Sequence, residues 1–381
     1  MKLKLVLILI ILFVLSSKIN ASISVYDLKT NKFIINEVNK EKLNPGFMQS
    51  LFALSIIEQN RIDDKLKASI MATDNSGDNR LGLVYNQEEE FEDLFKAAII
   101  GQYSDALNVL AESVSDDLAN FINIMNIKAQ SIGLSVDSNF TNTFAKASDL
   151  NFVSKEDLFK LLIYLNDNQK ITDLLALRNV NINFNNQVKM ISNNFNYDKY
   201  PNFKYAFIDK YNKHTLAGLY EDNNLSILIL ISENASESEA YRRLDDFLNN
   251  LGAYYQIINL KENPGLLSYH FRDVDSNAYF NFKINEDIKI YLRDNEQFTY
   301  KLITANDQSK EALSANLATY INDNYFTGFK LSKEEISHNL NFYEANLTFI
   351  QKFFNYGSIF TLLAIFIYGI VNIRRKNATK R

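Results

Sequence analysis

Residues 23–60 read ISVYDLKTNKFIINEVNKEKLNPGFMQSLFALSIIEQN, a stretch that changes character once. Two strand-like runs, residues 23–28 and 33–38, flank a Lys-Thr-Asn turn and predict a β-hairpin. Pro45 follows, and an almost uninterrupted apolar run begins directly after it. Because proline suits the first turn of a helix, this run predicts a buried helix that starts near residue 46.

Further along the chain, helical and strand-like patterns come in blocks rather than in alternation. Residues 91–113, 116–132 and 154–165 have helical patterns, and residues 180–232 have strand-like ones. Ser236 and Glu239 form a capping box for one more helix, which Gly252 ends. This order predicts an α+β domain with a mainly antiparallel sheet over residues 22–253.

Beyond Gly252 the pattern becomes strand-rich. Strand-like runs recur roughly every ten residues, a spacing typical of small all-β modules. A turn sequence at Asn263-Pro264-Gly265 separates two of these runs. The pattern predicts a small β-rich domain over residues 254–345.

Composition excludes several classes of function. The 381 residues are 47% hydrophobic and 22% charged, which is typical of a globular protein rather than a disordered one. The chain has no cysteine, so disulfides, thiolate metal sites and cysteine nucleophiles are excluded. It has only three histidines, and its net charge of −5 argues against binding to nucleic acid. We therefore expect no metal, no cofactor and no nucleic-acid partner.

The N-terminus predicts export. Lys2 and Lys4 precede an apolar run over residues 5–15, and small polar residues then lead to Ala21. This pattern is typical of a secretory signal peptide over residues 1–21. The alternative is an uncleaved membrane anchor, although the run is short for a bilayer span, which needs about 20 residues.

The C-terminus predicts a membrane anchor. Residues 356–373 contain no charge, and residues 374–381 carry five cations and no acid. Such an uncharged run is a candidate transmembrane helix, and its basic flank is expected in the cytoplasm. A buried core helix is the alternative, but it leaves the cationic tail unexplained. We expect a membrane-proximal and transmembrane segment over residues 346–373 in a bacterial inner membrane, with the body in the periplasm or outside the cell.

Three local strings resemble one protein family. They are VYDLKTNKFIINEVNKEKLNPG (residues 25–46), LFKAAIIGQYSDALNVLAES (94–113) and LNNLGAYYQIINLKENPG (248–265). They are similar to the opening hairpin, the second-motif segment and the domain junction of the low-molecular-weight penicillin-binding proteins. These are the serine D-alanyl-D-alanine carboxypeptidases of bacterial envelopes. The resemblance implies a β-lactamase-like (transpeptidase-like) domain, a small β-rich domain and a C-terminal membrane helix.

The resemblance also implies three catalytic motifs, and the first is not intact. In Ser-x-x-Lys the serine attacks the penultimate D-alanine carbonyl, and the lysine one helical turn later can accept its proton. If Pro45 aligns with a family proline, Phe47 holds the serine position and Ser50 holds the lysine position. A shift of one residue gives Gly46 and Gln49, which supply neither group.

The other two motifs are altered as well. The family's Ser-x-Asn motif, which moves protons and orients the peptide, falls on Gln102-Tyr103-Ser104. Its Lys-Thr-Gly strand, which binds the terminal carboxylate and lies beside the substrate backbone, falls on Lys204-Tyr205-Ala206. Only the lysine of that third motif remains.

Two features of these motif positions leave alternatives open. Lys204 is either an ordinary surface lysine or a residue that holds an anion or a peptide C-terminus. The rings of Phe47, Tyr103 and Tyr205 stand where the family has small groups. They either fill a decayed site with core side chains or line a re-purposed apolar groove.

Three hypotheses about function follow. The first is a membrane-anchored pseudoenzyme, which binds a peptidoglycan stem peptide or an envelope protein as a scaffold and has no catalytic residues. The second is a working carboxypeptidase that trims peptidoglycan pentapeptides from a displaced serine site. The third is an envelope interaction protein unrelated to peptidoglycan. We expect the first, with Phe47 and Ser50 on the side of their helix that faces the strand containing Lys204.

Overall fold

The computed structural model describes most of the chain, namely residues 22–38, 41–60, 64–115, 117–144, 146, 150–209, 214–262, 269–272, 279–306 and 313–335. These residues divide into two compact units, the first ending at Ile257 and the second beginning at Ile258. The predicted signal peptide, the predicted segment over residues 346–373 and the basic tail lie outside the described residues. Within the described ranges, no helix is long and apolar enough to span a bilayer.

Eleven strands belong to the described residues of the first unit, apart from one that begins just before the division. They are β1 (Ser22–Asp27), β2 (Lys32–Ile35), β3 (Lys42–Leu43), β4 (Lys65–Lys67), β5 (Glu88–Glu90), β6 (Val153–Ser154), β7 (Asn179–Phe184), β8 (Gln187–Ser192), β9 (Phe203–Ile208), β10 (His214–Asp222) and β11 (Leu225–Asn234). Five of them form an antiparallel sheet in the order β2-β1-β11-β10-β9, so that β2 and β9 lie at its edges. The remaining strands pair as β3 with β6, β4 with β5, and β7 with β8.

The predicted N-terminal hairpin is confirmed. Strand β1 pairs antiparallel with β2. The turn between them is closed by Asp27, whose Oδ1 accepts hydrogen bonds from the N–H groups of Lys29 and Thr30 at 2.8 and 3.1 Å. Aspartate is favoured in turns because its side chain bonds nearby backbone in this way.

The first unit has eight α-helices among the described residues. They are α1 (Phe47–Gln59), α2 (Ile70–Asp74), α3 (Phe91–Ile100), α4 (Ser104–Glu112), α5 (Leu118–Ser131), α6 (Lys155–Asn166), α7 (Gln169–Leu175) and α8 (Glu237–Asn249). Helix α1 is the predicted buried helix, and every residue from Phe47 to Ile57 is buried. A helix that is apolar all round must lie inside the protein, and α1 packs against α4, α6 and α3.

The helices cover both faces of the sheet, and the hydrophobic core lies between the sheet and the helices. On one face, β9, β10 and β11 contribute Tyr205, Phe207, Ala217, Leu219, Leu228 and Leu230 to the hydrophobic cluster that contains α1. Helix α8 packs against β10 and β11. The two predicted helix starts are confirmed, since Ser154 and Ser236 accept N–H bonds at the heads of α6 and α8. The blocks of helices and the antiparallel sheet confirm the α+β prediction.

Asp157, in the first turn of α6, fastens the loop that follows α5. Its Oδ2 accepts bonds from Ser135 N (3.0 Å), Ser135 Oγ (2.6 Å) and Ser138 Oγ (2.7 Å), and its Oδ1 accepts one from Lys160 Nζ (2.9 Å). Burial alone raises the pKa of Asp157, but the bonds from Ser135, Ser138 and Lys160 outweigh it and lower that pKa to about 2.

The second unit is β-rich over its described residues. Its strands, including one that begins just before the division, are β12 (Gln256–Asn259), β13 (Tyr269–Arg272), β14 (Tyr279–Lys283), β15 (Lys289–Leu292), β16 (Phe298–Asn306), β17 (Leu313–Ile321), β18 (Asn324–Lys330) and β19 (Ser332–Glu335). They form the small sheets β12-β15, β13-β14-β19 and β16-β17-β18. A separate hydrophobic cluster includes Leu260, Ile290 and Leu317. The division at Ile257 falls a few residues beyond the boundary suggested by the sequence.

Candidate functional site

The head of helix α1 lies against the end of strand β9. Gly46 precedes the helix with φ +59°, a left-handed conformation that favours glycine, and its N–H bonds Asn44 Oδ1 at 2.9 Å. A Cβ at this position would lie 1.8 Å from Asp209 Oδ2, just after β9. Glycine is therefore required here both by the backbone angle and by the close approach of Asp209.

Phe47, the first residue of α1, fills the space where the resemblance implies a serine nucleophile. Its side chain is 1% exposed, and its ring meets that of Phe207 on β9 edge to face, with the centroids 5.2 Å apart. Aromatic pairs favour this geometry. The contact confirms that Phe47 faces the strand containing Lys204. A phenyl ring has no lone pair with which to attack a carbonyl.

Ser50 and Gln49, the other first-motif positions, do not supply a catalytic pair. The hydroxyl of Ser50 is buried and has no hydrogen-bond partner among the residues that the structure describes. Gln49 is buried in a structural network, donating to Asn142 and accepting from Asn151 Nδ2 at 2.9 Å. No Ser-x-x-Lys occurs anywhere in the printed sequence. The head of α1 therefore lacks the serine–lysine pair of the first motif.

Gln102 is the second-motif residue that reaches β9. It has φ +56° and is buried, and its Nε2 donates to Ile208 O at 2.8 Å. The structure thus brings Phe47 and Gln102 together against consecutive residues of one strand. The contacts at this point are those of a packed interior.

Tyr103 and Ser104 have other surroundings. Tyr103 is partly buried, with Lys189 Nζ 5.3 Å from its ring centroid. Burial, and then the neighbouring Asp105 carboxylate, raise its pKa, so that its hydroxyl stays protonated at neutral pH. The hydroxyl of Ser104 accepts from Gly77 N and donates to Asn79 O, both at 2.9 Å. Ser104 therefore holds a loop in place and is not positioned beside a base.

Asp105 was not among the residues predicted from the sequence, yet its carboxylate holds the loop beside the second motif in place. Its Oδ1 accepts Leu81 N at 2.8 Å, and its Oδ2 accepts Gly82 N at 2.8 Å and Leu83 N at 3.0 Å. An acid in the first turn of a helix suggests only interaction with the helix dipole. The Leu-Gly-Leu loop carries no local signal that it bonds this carboxylate.

The third-motif residues lie nearer the start of β9 than the residues that contact α1 and Gln102. Lys204 is exposed, at a shift in the pairing of β9 with β10. Tyr205 is buried, and its hydroxyl donates to Asn166 Oδ1 at 3.0 Å. The residues that meet Phe47 and Gln102 are Phe207 and Ile208, and Ile208 lies about 13 Å along the strand from Lys204. A binding role for Lys204-Tyr205-Ala206 remains a prediction.

The outer edge of β9 is hydrogen-bonded by the chain's own side chains. Asp209 N–H bonds Thr215 O toward β10, so that residues 206 and 208 direct their backbone groups away from β10. Tyr197 Oη accepts the N–H of Ala206 at 2.8 Å. Gln102 Nε2 and Asn194 Nδ2 both donate to Ile208 O, at 2.8 and 2.7 Å. The Ala206 N–H and the Ile208 carbonyl, two of the groups that a substrate backbone would pair with, are thus already bonded.

A cavity of about 740 Å³ lies at the other end of α1. It is open, and its lining includes Glu58, Glu92, Tyr164 and Asp173. Glu58 is about 16 Å along the helix axis from Phe47, so the cavity does not belong to the predicted site. In the ranges that the structure describes, no cluster of histidine and acidic side chains could hold a metal ion.

Comparison with known proteins finds one family and one fold. The family model described as D-alanyl-D-alanine carboxypeptidase matches residues 16–207, just over half of the chain. No curated protein sequence matches significantly.

Similar solved structures include penicillin-binding protein 5 from Haemophilus influenzae, with TM-score 0.55 and 15% identity over 83% of this chain and 97% of that one. The D-alanyl-D-alanine carboxypeptidase DacD from Francisella tularensis has TM-score 0.56 and 12% identity over 85% and 95%. Penicillin-binding protein 6B from Escherichia coli has TM-score 0.54 and 14% identity over 83% and 96%. These similarities confirm the mixed helix-and-sheet, transpeptidase-like fold.

Proposed function

The chain belongs to the D-alanyl-D-alanine carboxypeptidase family, and we propose that within it this protein is a membrane-anchored, non-catalytic member that binds another component of the cell envelope. The observation that carries this proposal is the ring of Phe47, which is buried against Phe207 and stands where the resemblance implies the family's nucleophile. The serine of that motif forms the covalent intermediate, and no other group at the head of α1 can replace it.

The large contribution of a serine nucleophile to the reaction rate supports the proposal that this protein is inactive. Removing the nucleophile of a serine enzyme costs a factor of about 10⁶ in rate, or roughly 8 kcal/mol of activation free energy. Residual binding groups cannot recover such a step, because they do not supply the covalent route. A weak carboxypeptidase activity is therefore not expected from the remaining motif residues.

The edge of β9 supports the same proposal. A stem peptide that lies beside this strand would have to displace Gln102 and Asn194 from Ile208 O and Tyr197 from Ala206 N. Each buried polar group left without a partner costs about 1–3 kcal/mol. We therefore favour an envelope protein over a peptidoglycan stem peptide as the partner, and a surface other than the former cleft as its binding site.

Release of D-alanine tests the inactive assignment. The full chain in detergent is incubated with a pentapeptide that ends in D-alanyl-D-alanine, beside an active family member as the positive control. We expect no release above the buffer rate. Release that penicillin inhibits would contradict the proposal and support the displaced-site carboxypeptidase.

The predicted ends of the chain supply the location. A signal peptide over residues 1–21 and an anchor over residues 356–373 would place the body outside a bacterial inner membrane. Deletion of residues 354–381 should then release a soluble periplasmic protein. A truncated chain that still sediments with washed membranes would contradict the C-terminal anchor.

A further inference from the structure

The sheet β16-β17-β18 of the second unit has one core face and one outward face. Leu302, Leu317 and Phe329 are directly paired across the three strands and belong to the unit's hydrophobic cluster. Side chains alternate between the two faces along each strand. The residues next to these three on their own strands therefore point to the outward face. The outward face carries Thr299, Lys301, Ile303, Asn316, Ala318, Tyr320, Tyr325, Gly328 and Lys330, and we call it the tyrosine–lysine face.

Aromatic rings cover the middle of this face. Tyr325 lies across Gly328, since a Cβ there would be 3.1 Å from Tyr325 Oη. Its ring meets that of Tyr320 edge to face, with centroids 5.9 Å apart. Ala318 beneath is only 2% exposed, whereas the side chain of Tyr325 is 63% exposed. The face thus presents an amphipathic ring to solvent rather than burying it.

The charges on the tyrosine–lysine face are all positive among its described residues. Lys301 and Lys330 are exposed, and neither forms an ion pair with a described carboxylate. Lys301 Nζ lies 5.2 Å from the ring centroid of Tyr320. The chain as a whole carries 45 acids against 40 cations, so this patch differs in sign from the average surface.

We propose that the tyrosine–lysine face docks on the headgroup layer of the bilayer, with Lys301 and Lys330 against lipid phosphates and Tyr325 at the interface, an inference that rests on the anchor of the proposed function. Tyrosine favours the membrane–water interface because its ring is apolar and its hydroxyl is polar. Lysine stems lie along apolar surface while the ammonium reaches phosphate. The positive charge of the face complements anionic lipids.

The length of the following chain agrees with this docking. The last strand ends at Glu335, and the predicted membrane span begins at residue 356. Residues 336–355 can bridge about 30 Å as a helix and at most about 70 Å when extended. The second unit is therefore tethered within reach of the bilayer, where even weak contacts are favoured by a high effective concentration.

A glycan strand is the rival occupant, because exposed rings can also stack on sugars. Recognition of a sugar needs several polar groups that fix its hydroxyls, as small-ligand sites generally do. Among its described residues the tyrosine–lysine face offers no carboxylate, and only Thr299 and Asn316 as uncharged non-aromatic polar groups. Its two unpaired cations fit phosphate better, so we commit to the lipid headgroup.

The absence of tryptophan from the sequence allows a direct test. Tyr325→Trp introduces a single fluorophore into the full chain, which is reconstituted into vesicles of phosphatidylcholine with phosphatidylglycerol. We expect blue-shifted emission, quenching by lipids brominated near the headgroup, and protection from iodide. Tyr85→Trp in the first unit is the matched control, because Tyr85 is also well exposed, at 58%. Its emission should show none of these changes.

The charge requirement is tested in the same vesicles. Each lysine near an anionic surface favours the docked state about fivefold, so Lys301→Gln with Lys330→Gln should lower the docked-to-undocked ratio by roughly 30-fold. Vesicles of phosphatidylcholine alone should have a similar effect. Lys32→Gln with Lys67→Gln removes two exposed lysines of the first unit and should leave the ratio unchanged.

The outcomes separate this inference from the anchor. A chain that alkaline carbonate removes from the vesicles would contradict the anchor and, with it, the docking. A retained chain whose introduced tryptophan stays open to iodide would contradict the docking alone. A tryptophan that responds to purified glycan strands and not to anionic vesicles would replace the membrane with a saccharide.

Discussion

The burial of Phe47 can be tested by truncating its side chain. Phe47→Ala removes a ring that is 1% exposed and in edge-to-face contact with Phe207. Truncation of a buried phenylalanine costs about 3–5 kcal/mol, which includes the cavity left behind. The surrounding helix is buried along most of its length, so the site has little freedom to collapse. We expect a loss at the upper half of that range, and a smaller loss, about 1 kcal/mol, for Phe47→Leu.

The full chain in detergent is unfolded in urea, and pulse proteolysis monitors the unfolding. Proteolytic fragments of the first unit report on that unit alone. Val188→Ala is the matched control, because Val188 is an apolar residue with 71% exposure and its truncation should change the free energy by less than about 0.5 kcal/mol. A loss below about 1 kcal/mol for Phe47→Ala would refute the reasoning. Phe47 would then line an open apolar groove, the alternative that the sequence left open.

Three further predictions follow from described contacts. Phe47→Ser combined with Ser50→Lys restores the first-motif pair, but we expect no D-alanine release, because the edge of β9 remains bonded by the chain's own side chains; turnover would contradict this. Asp157 has a pKa lowered from 3.8 to about 2, so it adds about 2 kcal/mol of stability that is present above pH 4 and is lost as the pH falls through 2. Acid titration of Asp157→Asn should lack this portion and start about 2 kcal/mol lower at pH 7. Tyr197→Phe leaves the N–H of Ala206 without its acceptor, which should cost about 1–3 kcal/mol and speed hydrogen exchange at that amide; unchanged exchange would contradict the bonded edge.

Local rules account for the elements that the sequence predicted well. The hairpin turn, the proline before α1, and the serines at the heads of α6 and α8 each act within a few residues of themselves. The apolar character of α1 also requires no partner to be recognised, since a helix without a polar face must be buried. These features depend on backbone propensity and on burial, and both can be inferred from the pattern of a single sequence.

The register of β9 could not be predicted in the same way. The assignment of the third motif to Lys204-Tyr205-Ala206 remains a prediction, and the pairing of β9 with β10 shifts at Lys204. The residues that contact α1 and Gln102 lie about three positions further on. Register depends on pairing and on close approach, as at Gly218, where a Cβ would be 2.4 Å from Tyr205 O. No local pattern in the sequence reports such a shift.

Hydrogen bonds from side chains to segments distant in the sequence could not be predicted from the sequence either. The carboxylate of Asp105 bonds the backbone of residues 81–83, and Tyr197 bonds that of Ala206. Asparagine and glutamine are abundant here, and their amides satisfy backbone groups that only the folded chain brings within reach. The resemblance predicts which positions correspond to the family's motifs, and only the folded chain shows what the residues at those positions contact.

The most direct test of the central claim is the intact mass of the protein after incubation with penicillin. Acylation adds one drug molecule to a serine that is activated by a base, and Phe47 and Ser50 provide no such pair at the head of α1. We expect an unchanged mass for the full chain, beside an active family member that gains one adduct. A gain of one drug molecule, mapped by peptide digestion to a serine within residues 46–55 or to Ser104, would contradict it.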